Sequence, residues 1–307
     1  MSAKKLIRAL RAPFFTATLV PILLGSVMAW RDGAFHWGYF LLTLVGAVAF
    51  HAATNVINDY GDHLSGNDEI NTELTPFSGG SRVIQEHLLT PRQVLALALG
   101  CYAAGIAIGL YLAYARGMLI LALGVVGFLL SALYTVPRWG LAYLGHGLGE
   151  LAVGLGFGPL MVSGAYYVQT QRVSPAVLWA SLPVGLLIAC VLYINEFPDY
   201  AADKAVDKRT LIVKLGRRGA VPGYIAIMIG VYLSVLVGVV VGMLPWTALV
   251  VFLTLPLAYR GIQGVRQFYD NTPQLIPTNA LTIQVHLVTG LLLSLAFVLD
   301  RILALMA

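Results

Sequence analysis

Asn55-Val-Ile-Asn58-Asp59-Tyr60-Gly61-Asp62-His63-Leu64-Ser65-Gly66-Asn67-Asp68 is a polar stretch in an otherwise oily chain. A second stretch, Asn195-Glu196-Phe197-Pro198-Asp199-Tyr200-Ala201-Ala202-Asp203, echoes it 140 residues later. Each begins with Asn and places an Asp four residues on. A further Asp follows, at 62 in the first and at 203 in the second. On a helix the spacings i, i+4, i+7 and i, i+4, i+8 fall on one face. Each stretch therefore aims a carboxamide and two carboxylates in one direction. We expect the two faces to look at each other and to hold metal ions.

The surrounding chain fixes the setting. Of 307 residues, 59% are hydrophobic and 11% charged, against about 25% charged in soluble domains. Several apolar runs reach the ~20 residues needed to cross a bilayer. This excludes a large soluble α/β domain and predicts an all-α, polytopic membrane bundle. The net charge of +5 bears on orientation, and no motif suggests a nucleic-acid partner. Cys101 and Cys190 each lie inside an apolar run, without a CxxC partner, and read as small packing residues. The run after Lys4, Lys5, Arg8 and Arg11 extends to Trp30 without a clear cleavage site. It reads as a first membrane helix rather than a signal peptide.

Apolar runs predict nine membrane helices, near 13–30, 37–58, 93–115, 117–135, 143–168, 174–196, 222–243, 245–261 and 281–305. With this count, fifteen of the 19 Lys and Arg fall on the N-terminal side of the membrane. The positive-inside rule then predicts a cytoplasmic N-terminus and an outside C-terminus. Twelve of the 14 acids fall on that same cytoplasmic side, which the rule does not require. The expectation is a multi-pass integral protein of a prokaryotic cell membrane, its site at the cytoplasmic face. Residues 1–307 read as one membrane-embedded domain. Two motif-bearing halves, about 1–140 and 141–261, are followed by a last helix, 281–305.

Asn55, Asp59 and Asp62 sit where the second helix leaves the membrane, and Asn195, Asp199 and Asp203 where the sixth does. Polar groups there cost free energy unless paired or functional. An oxygen-only, acid-rich donor set suits Mg²⁺, which keeps waters and shares substrate phosphates. Pro198 is expected to kink or end its helix. Cations at the same membrane end can clamp a diphosphate: Arg11, Arg82 after Ser78-Gly79-Gly80-Ser81, Arg138, Lys204 and Lys208. Glu150, two turns inside the predicted fifth helix, is an intramembrane acid and so a functional candidate. Tyr134 is a candidate pocket residue. His51 and His286 are isolated in apolar runs and read as core.

The combination resembles the UbiA superfamily of intramembrane aromatic prenyltransferases, and within it the branch acting on 1,4-dihydroxy-2-naphthoate. The residues carrying this are Asn58-Asp-Tyr-Gly-Asp62 with Gly66-Asn-Asp68, Tyr134-Thr135 with Gly147-Leu-Gly-Glu150, Gly158-Pro159 with Tyr166-Tyr167, and Asp203-Lys204 leading to Lys208-Arg-Thr-Leu211 and Leu215-Gly216. The resemblance spans roughly residues 8–216. The hydroxybenzoate branch would carry Asp at position 66, where this chain has Gly66 and places Asp68 two residues on.

The resemblance implies nine helices, an isoprenyl diphosphate donor bridged by Mg²⁺, and membrane lipids around the bundle. It implies an aromatic acceptor, dihydroxynaphthoate, which loses its carboxylate to give demethylmenaquinone. Asp59, Asp62, Asp199 and Asp203 would be catalytic, and Tyr134 and Glu150 would contact the acceptor. Homogentisate or 4-hydroxybenzoate are the alternative acceptors. From another class, a cation-coupled membrane transporter also uses paired polar motifs in related halves, but places them near the bilayer midplane. Here both motifs lie at helix ends beside cations suited to phosphate.

Overall fold

The computed structural model describes residues 3–306, and every regular element among them is helical. Its α-helices are α1 (Ala3–Ala9), α2 (Thr16–Arg31), α3 (Trp37–Ser65), α4 (Asn67–Ile70), α5 (Pro91–Arg116), α6 (Leu119–Ala132), α7 (Leu141–Leu144), α8 (Leu148–Leu155), α9 (Met161–Thr170), α10 (Pro175–Ala205), α11 (Leu211–Val240), α12 (Leu255–Phe268) and α13 (Thr272–Met306). A π-helical stretch, Gly156–Leu160, joins α8 to α9 in one rod, and a 3-10 stretch, Trp246–Thr254, leads into α12.

Eight of the resulting rods are long and apolar enough to cross a membrane. The ninth expected span is α6. At 14 residues it is about 21 Å long, short of the ~30 Å hydrocarbon layer. Large apolar side chains such as Leu110, Leu129, Leu253 and Val240 face outward, as lipid-facing surface does. This is an integral membrane protein.

Helix ends depart from the apolar runs in ways that matter for the site. The second long helix continues past residue 58, through Asp59 and Asp62, and stops at Gly66, whose φ of 76° makes a left-handed cap. The segment expected at 143–168 is broken at its start by Gly145 and Gly147, both at positive φ, so Glu150 lies in the first turn of α8 rather than two turns inside a span. Where a sharp start is needed, the sequence supplies it. Thr90 Oγ1 accepts the Gln93 N–H at 3.3 Å, Gln93 Oε1 accepts the Thr90 N–H at 2.9 Å, and Pro91 opens α5.

The packed side of the bundle is formed by α10, α11 and α13. Tyr193, Phe197, Tyr224 and Phe297 are its largest sealed side chains. Two of these carry hydroxyls that need partners. Tyr193 donates to the Ala220 carbonyl at 2.9 Å, and Tyr224 pairs with Thr282 at 2.8 Å. Between lipid-embedded helices close packing rather than water exclusion supplies the cohesion. Gly158 and Gly185 show this, since a Cβ on Gly158 would lie 2.7 Å from the Gly185 Cα.

Pro198 neither ends nor interrupts α10, contrary to expectation. Proline has no N–H, so the carbonyl four residues back, that of Ile194, loses its helical partner. Asn279 of α13 restores one: its Nδ2 donates to the Ile194 carbonyl at 3.2 Å and to Asn195 Oδ1 at 2.8 Å. Asn279 is fully buried. Asn279→Leu strands both acceptors and is expected to cost about 1–3 kcal/mol. Thermal unfolding in detergent measures it, and an unchanged midpoint would remove Asn279 from this role.

Candidate active site

Asn55 and Asp62 of α3 and Asn195, Asp199 and Asp203 of α10 point into one end of the same cavity, while Asp59 turns to the Ser81 backbone. Lys208 stands between Asp62 and Asp203. Its Nζ donates to Asp62 at 3.1 and 3.3 Å and lies 3.6 Å from Asp203 Oδ1. Asp207, at φ 58°, turns the chain after α10 so that Lys208 comes back toward the helix ends. Burial alone would lower the ammonium pKa. Asp203 and then Asp62 outweigh it and hold the pKa well above the ordinary lysine value.

A second cross-link comes from α4 and the residue that ends it. Asn67 Nδ2 donates to Asp203 at 2.9 Å, and Asn71 Nδ2 donates to Asp199 at 2.8 Å. Donors four apart thus meet acceptors four apart, as two rungs. On α3, Asp59 accepts the Ser81 N–H with both oxygens at 3.3 Å. Asn55 donates to the Leu10 carbonyl at 3.2 Å, tying the N-terminal segment to the same end. Asp68 is buried, and its Oδ2 is sealed without a hydrogen-bonding partner among the described residues. Burial, then the Asp62 and Asp59 charges, push its carboxyl up to about 8 against the pull of Lys208 and Arg82.

This polar end opens into a cavity of about 430 Å³ that continues between α3, α5, α6, α9 and α10. Asn55, Asp62, Asp68, Asn195, Asp199 and Asp203 line it at one end. Phe50, Phe157, Leu123 and Leu160 line its apolar length. Gly109, Gly124 and Gly127 also line it, and a Cβ added at any of them would meet nothing within 4 Å. These three helix positions leave the cavity wide and pack against nothing.

The expected cations divide into two groups. Arg11 and Lys208 line the cavity. Arg82 instead turns its guanidinium to the Asp68 backbone carbonyl. Arg138 is exposed, beside a small separate depression with Tyr143, Asp207 and Arg209. Lys204 is exposed over the Tyr200 ring, 5.7 Å from its centroid. It follows Asp203 by one residue and so points about 100° away around the helix. Tyr134 lines the cavity, whereas Glu150 stands behind the wall, where its Oε1 accepts the Leu211 N–H at 2.8 Å. Asp59 likewise acts from behind, on the Ser81 backbone.

Three residues that the sequence reading did not single out belong to this end of the cavity or brace it: Asn67, Asn71 and Glu196. The i, i+4 spacing of the two asparagines was their only signal. Among the described residues no three acid, imidazole or thiol groups close a metal cage by themselves. A hard divalent ion needs no such cage, because one or two carboxylates with waters and phosphate oxygens suffice. The oxygen-only donor set and the orphaned Asp68 Oδ2 fit that kind of ion.

The UbiA prenyltransferase family matches residues 18–277. The chain is similar to a 2-carboxy-1,4-naphthoquinone phytyltransferase of Synechocystis sp., at 30% identity over 94% of this chain and 91% of that protein. It is similar to a 1,4-dihydroxy-2-naphthoate octaprenyltransferase of Bacillus subtilis, at 30% identity over 93% of this chain and 89% of that protein. A UbiA homolog from Archaeoglobus fulgidus, solved bound to DMAPP and Mg²⁺, shares the fold with a TM-score of 0.65 at 14% identity, over 94% of this chain and 98% of that one. A helical bundle of this architecture, with sequence kinship over nearly its whole length, leads to one conclusion: the chain belongs to the UbiA prenyltransferase family.

Proposed function

We propose that this protein transfers a prenyl group from an isoprenyl diphosphate to an aromatic acceptor, 1,4-dihydroxy-2-naphthoate, in menaquinone biosynthesis. The observation that carries this reading is the joining of two environments. A pocket of carboxylates with Lys208 and Arg11 opens directly into an apolar cavity of about 430 Å³. One end suits a diphosphate with its counter-ions and the other an isoprenoid tail. The names of the Synechocystis and Bacillus relatives support a naphthoquinone-type acceptor.

Asn55, Asp62, Asn195, Asp199 and Asp203, joined by Asp68, are the proposed Mg²⁺ ligands, with Asp59 fixing the Ser78–Arg82 loop behind them. Bound Mg²⁺ would supply the positive charge that makes the diphosphate a good leaving group. Lys208 and Arg11 bind the remaining diphosphate oxygens. The allylic C–O bond breaks, and its electron pair leaves with the diphosphate. Phe50, Phe157 and Leu160 exclude water from the cation so formed. The acceptor carbon bearing the carboxylate forms the new C–C bond. Carbon dioxide departs and leaves its electron pair to restore the aromatic ring as a prenylated naphthoquinol.

With α6 counted as a short ninth crossing, the lopsided distribution of Lys and Arg supports a cytoplasmic N-terminus and polar end and an outside C-terminus. The cross-links from Lys208, Asn67 and Asn71 to the two acidic motifs support one domain built of two motif-bearing halves.

Mass spectrometry of products from membranes offered Mg²⁺, several isoprenyl diphosphates and three acceptors tests the proposal. The expected product is a decarboxylated, prenylated naphthoquinol, recovered as the quinone after oxidation by air. Prenylated hydroxybenzoate or homogentisate in its place would overturn the acceptor.

A further inference from the structure

We propose that Glu196 holds the aromatic acceptor by accepting a hydrogen bond from a ring hydroxyl. The inference rests on the reading of this cavity as a prenyl-transfer site. It assigns a role to a residue that nothing in the motif spacing marks.

Glu196 is 5% exposed and lines the cavity. Its Oε2 is sealed without a hydrogen-bonding partner among the described residues. A buried carboxyl without a donor is costly, so such a group in a native site calls for a ligand or a neighbour that completes it. Its acidic neighbour is Glu150 of α8, the helix that packs against α10 here. Glu150 is itself committed: its Oε1 takes the N–H of Leu211, the first residue of α11. That bond, at a helix N-terminus where negative charge is favoured, anchors Glu150. Glu150 in turn backs Glu196 against the cavity wall.

The place along α10 is what distinguishes Glu196 from the other acids. It precedes Asp199 by three residues and Asp203 by seven, so it lies about 4.5 and 10.5 Å farther from the polar end, on nearly the same face. A diphosphate held at Asp199 and Asp203 would leave its allylic carbon near the level of Glu196. Tyr134 lines this part of the cavity as well, its ring resting 3.4 Å from where a Cβ on Gly149 would lie, beside Glu150. A planar ring between Tyr134 and Glu196 would present its edge to the carboxyl. A hydroxyl hydrogen-bonded to a carboxyl oxygen shifts electron density into the ring, toward the adjacent carbon that attacks.

The test compares full-length wild type, Glu196→Gln and Glu196→Leu, purified in detergent. Binding of 1,4-dihydroxy-2-naphthoate and of its 1-methoxy and 4-methoxy ethers is measured with donor and Mg²⁺ absent. Acceptor and donor KM are then measured separately. Glu196→Leu is expected to raise the acceptor Kd and KM about tenfold or more, with the donor KM unchanged. Wild type should discriminate against one of the ethers, and Glu196→Leu should not. Glu196→Gln, which keeps a carbonyl acceptor, should fall between. If the ether penalty persists in Glu196→Leu, or donor and acceptor KM rise together, the assignment is wrong. If wild type binds no dihydroxynaphthoate, the acceptor falls and this assignment falls with it. If wild type binds and the variants bind equally well, Glu196 alone is overturned.

Discussion

Asp199→Ala is expected to cut prenyl transfer by about 10²–10³-fold while the protein still inserts and folds. Asp199 lines the cavity and is only partly buried. Its recorded side-chain partner is Asn71, at 2.8 Å. Removing it strands one amide and leaves the helix contacts of α10 untouched. Its proposed work lies in neutralising the charge that builds on the departing diphosphate. Removing one group aimed at developing charge typically costs about 2.7–4 kcal/mol of barrier, hence the size of the effect. Asp59→Ala should also lose activity, by another route, because Asp59 holds the Ser81 backbone rather than lining the cavity. Turnover by purified protein, set against a thermal melt of the same sample, separates chemistry from folding. Wild-type turnover in Asp199→Ala would end the metal assignment for α10.

Lys208→Met should have the largest effect on stability. Its side chain is 10% exposed, and the Asp62 and Asp203 side chains beside it are 9% and 3% exposed. Removing one partner of a buried ion pair leaves uncompensated charge, at a typical cost of about 3–5 kcal/mol. Replacing lysine by a methionine of similar length keeps the packing and isolates this electrostatic loss. If Asp62 and Asp203 also hold Mg²⁺, a divalent ion can replace the missing charge. The melting temperature of Lys208→Met should then climb along a Mg²⁺ titration far more steeply than that of wild type. A variant melt that ignores Mg²⁺ would show that the two carboxylates do not bind the ion.

The parts of this molecule that follow from local periodicity were legible in the sequence. The two Asn/Asp faces could be read because helical spacing fixes which side chains share a direction, whatever the helix packs against. The rods could be read from their apolar runs, although α3 and α10 continue past them and carry the acids on helix rather than in loops. What depended on docking could not be read. Asn67 and Asn71 find their acceptors 136 and 128 residues away, and nothing local names those partners. Lys204 and Lys208 look equivalent as sequence. One falls on the wrong side of α10, and the other is turned inward by the bend at Asp207. Glu150 read as an acid two turns inside a span, yet a helix N-terminus claims it and Glu196 lines the cavity instead. The expected break at Pro198 failed because its remedy, Asn279, comes from the last helix.

The two rungs and the Lys208 bridge also bear on how the molecule is made. All three join α3 or the segment just after it to residues 199–208, so each closes a loop of more than 120 residues. Such contacts come late, because a long loop must close before any of them forms. During synthesis the first motif reaches the membrane surface well before its counterpart exists. Until α10 arrives, Asp59 and Asp62 are the wet end of a single helix. The site is therefore among the last parts of the molecule to assemble, and an intact site is a marker that the end of α3 and the end of α10 have been brought together.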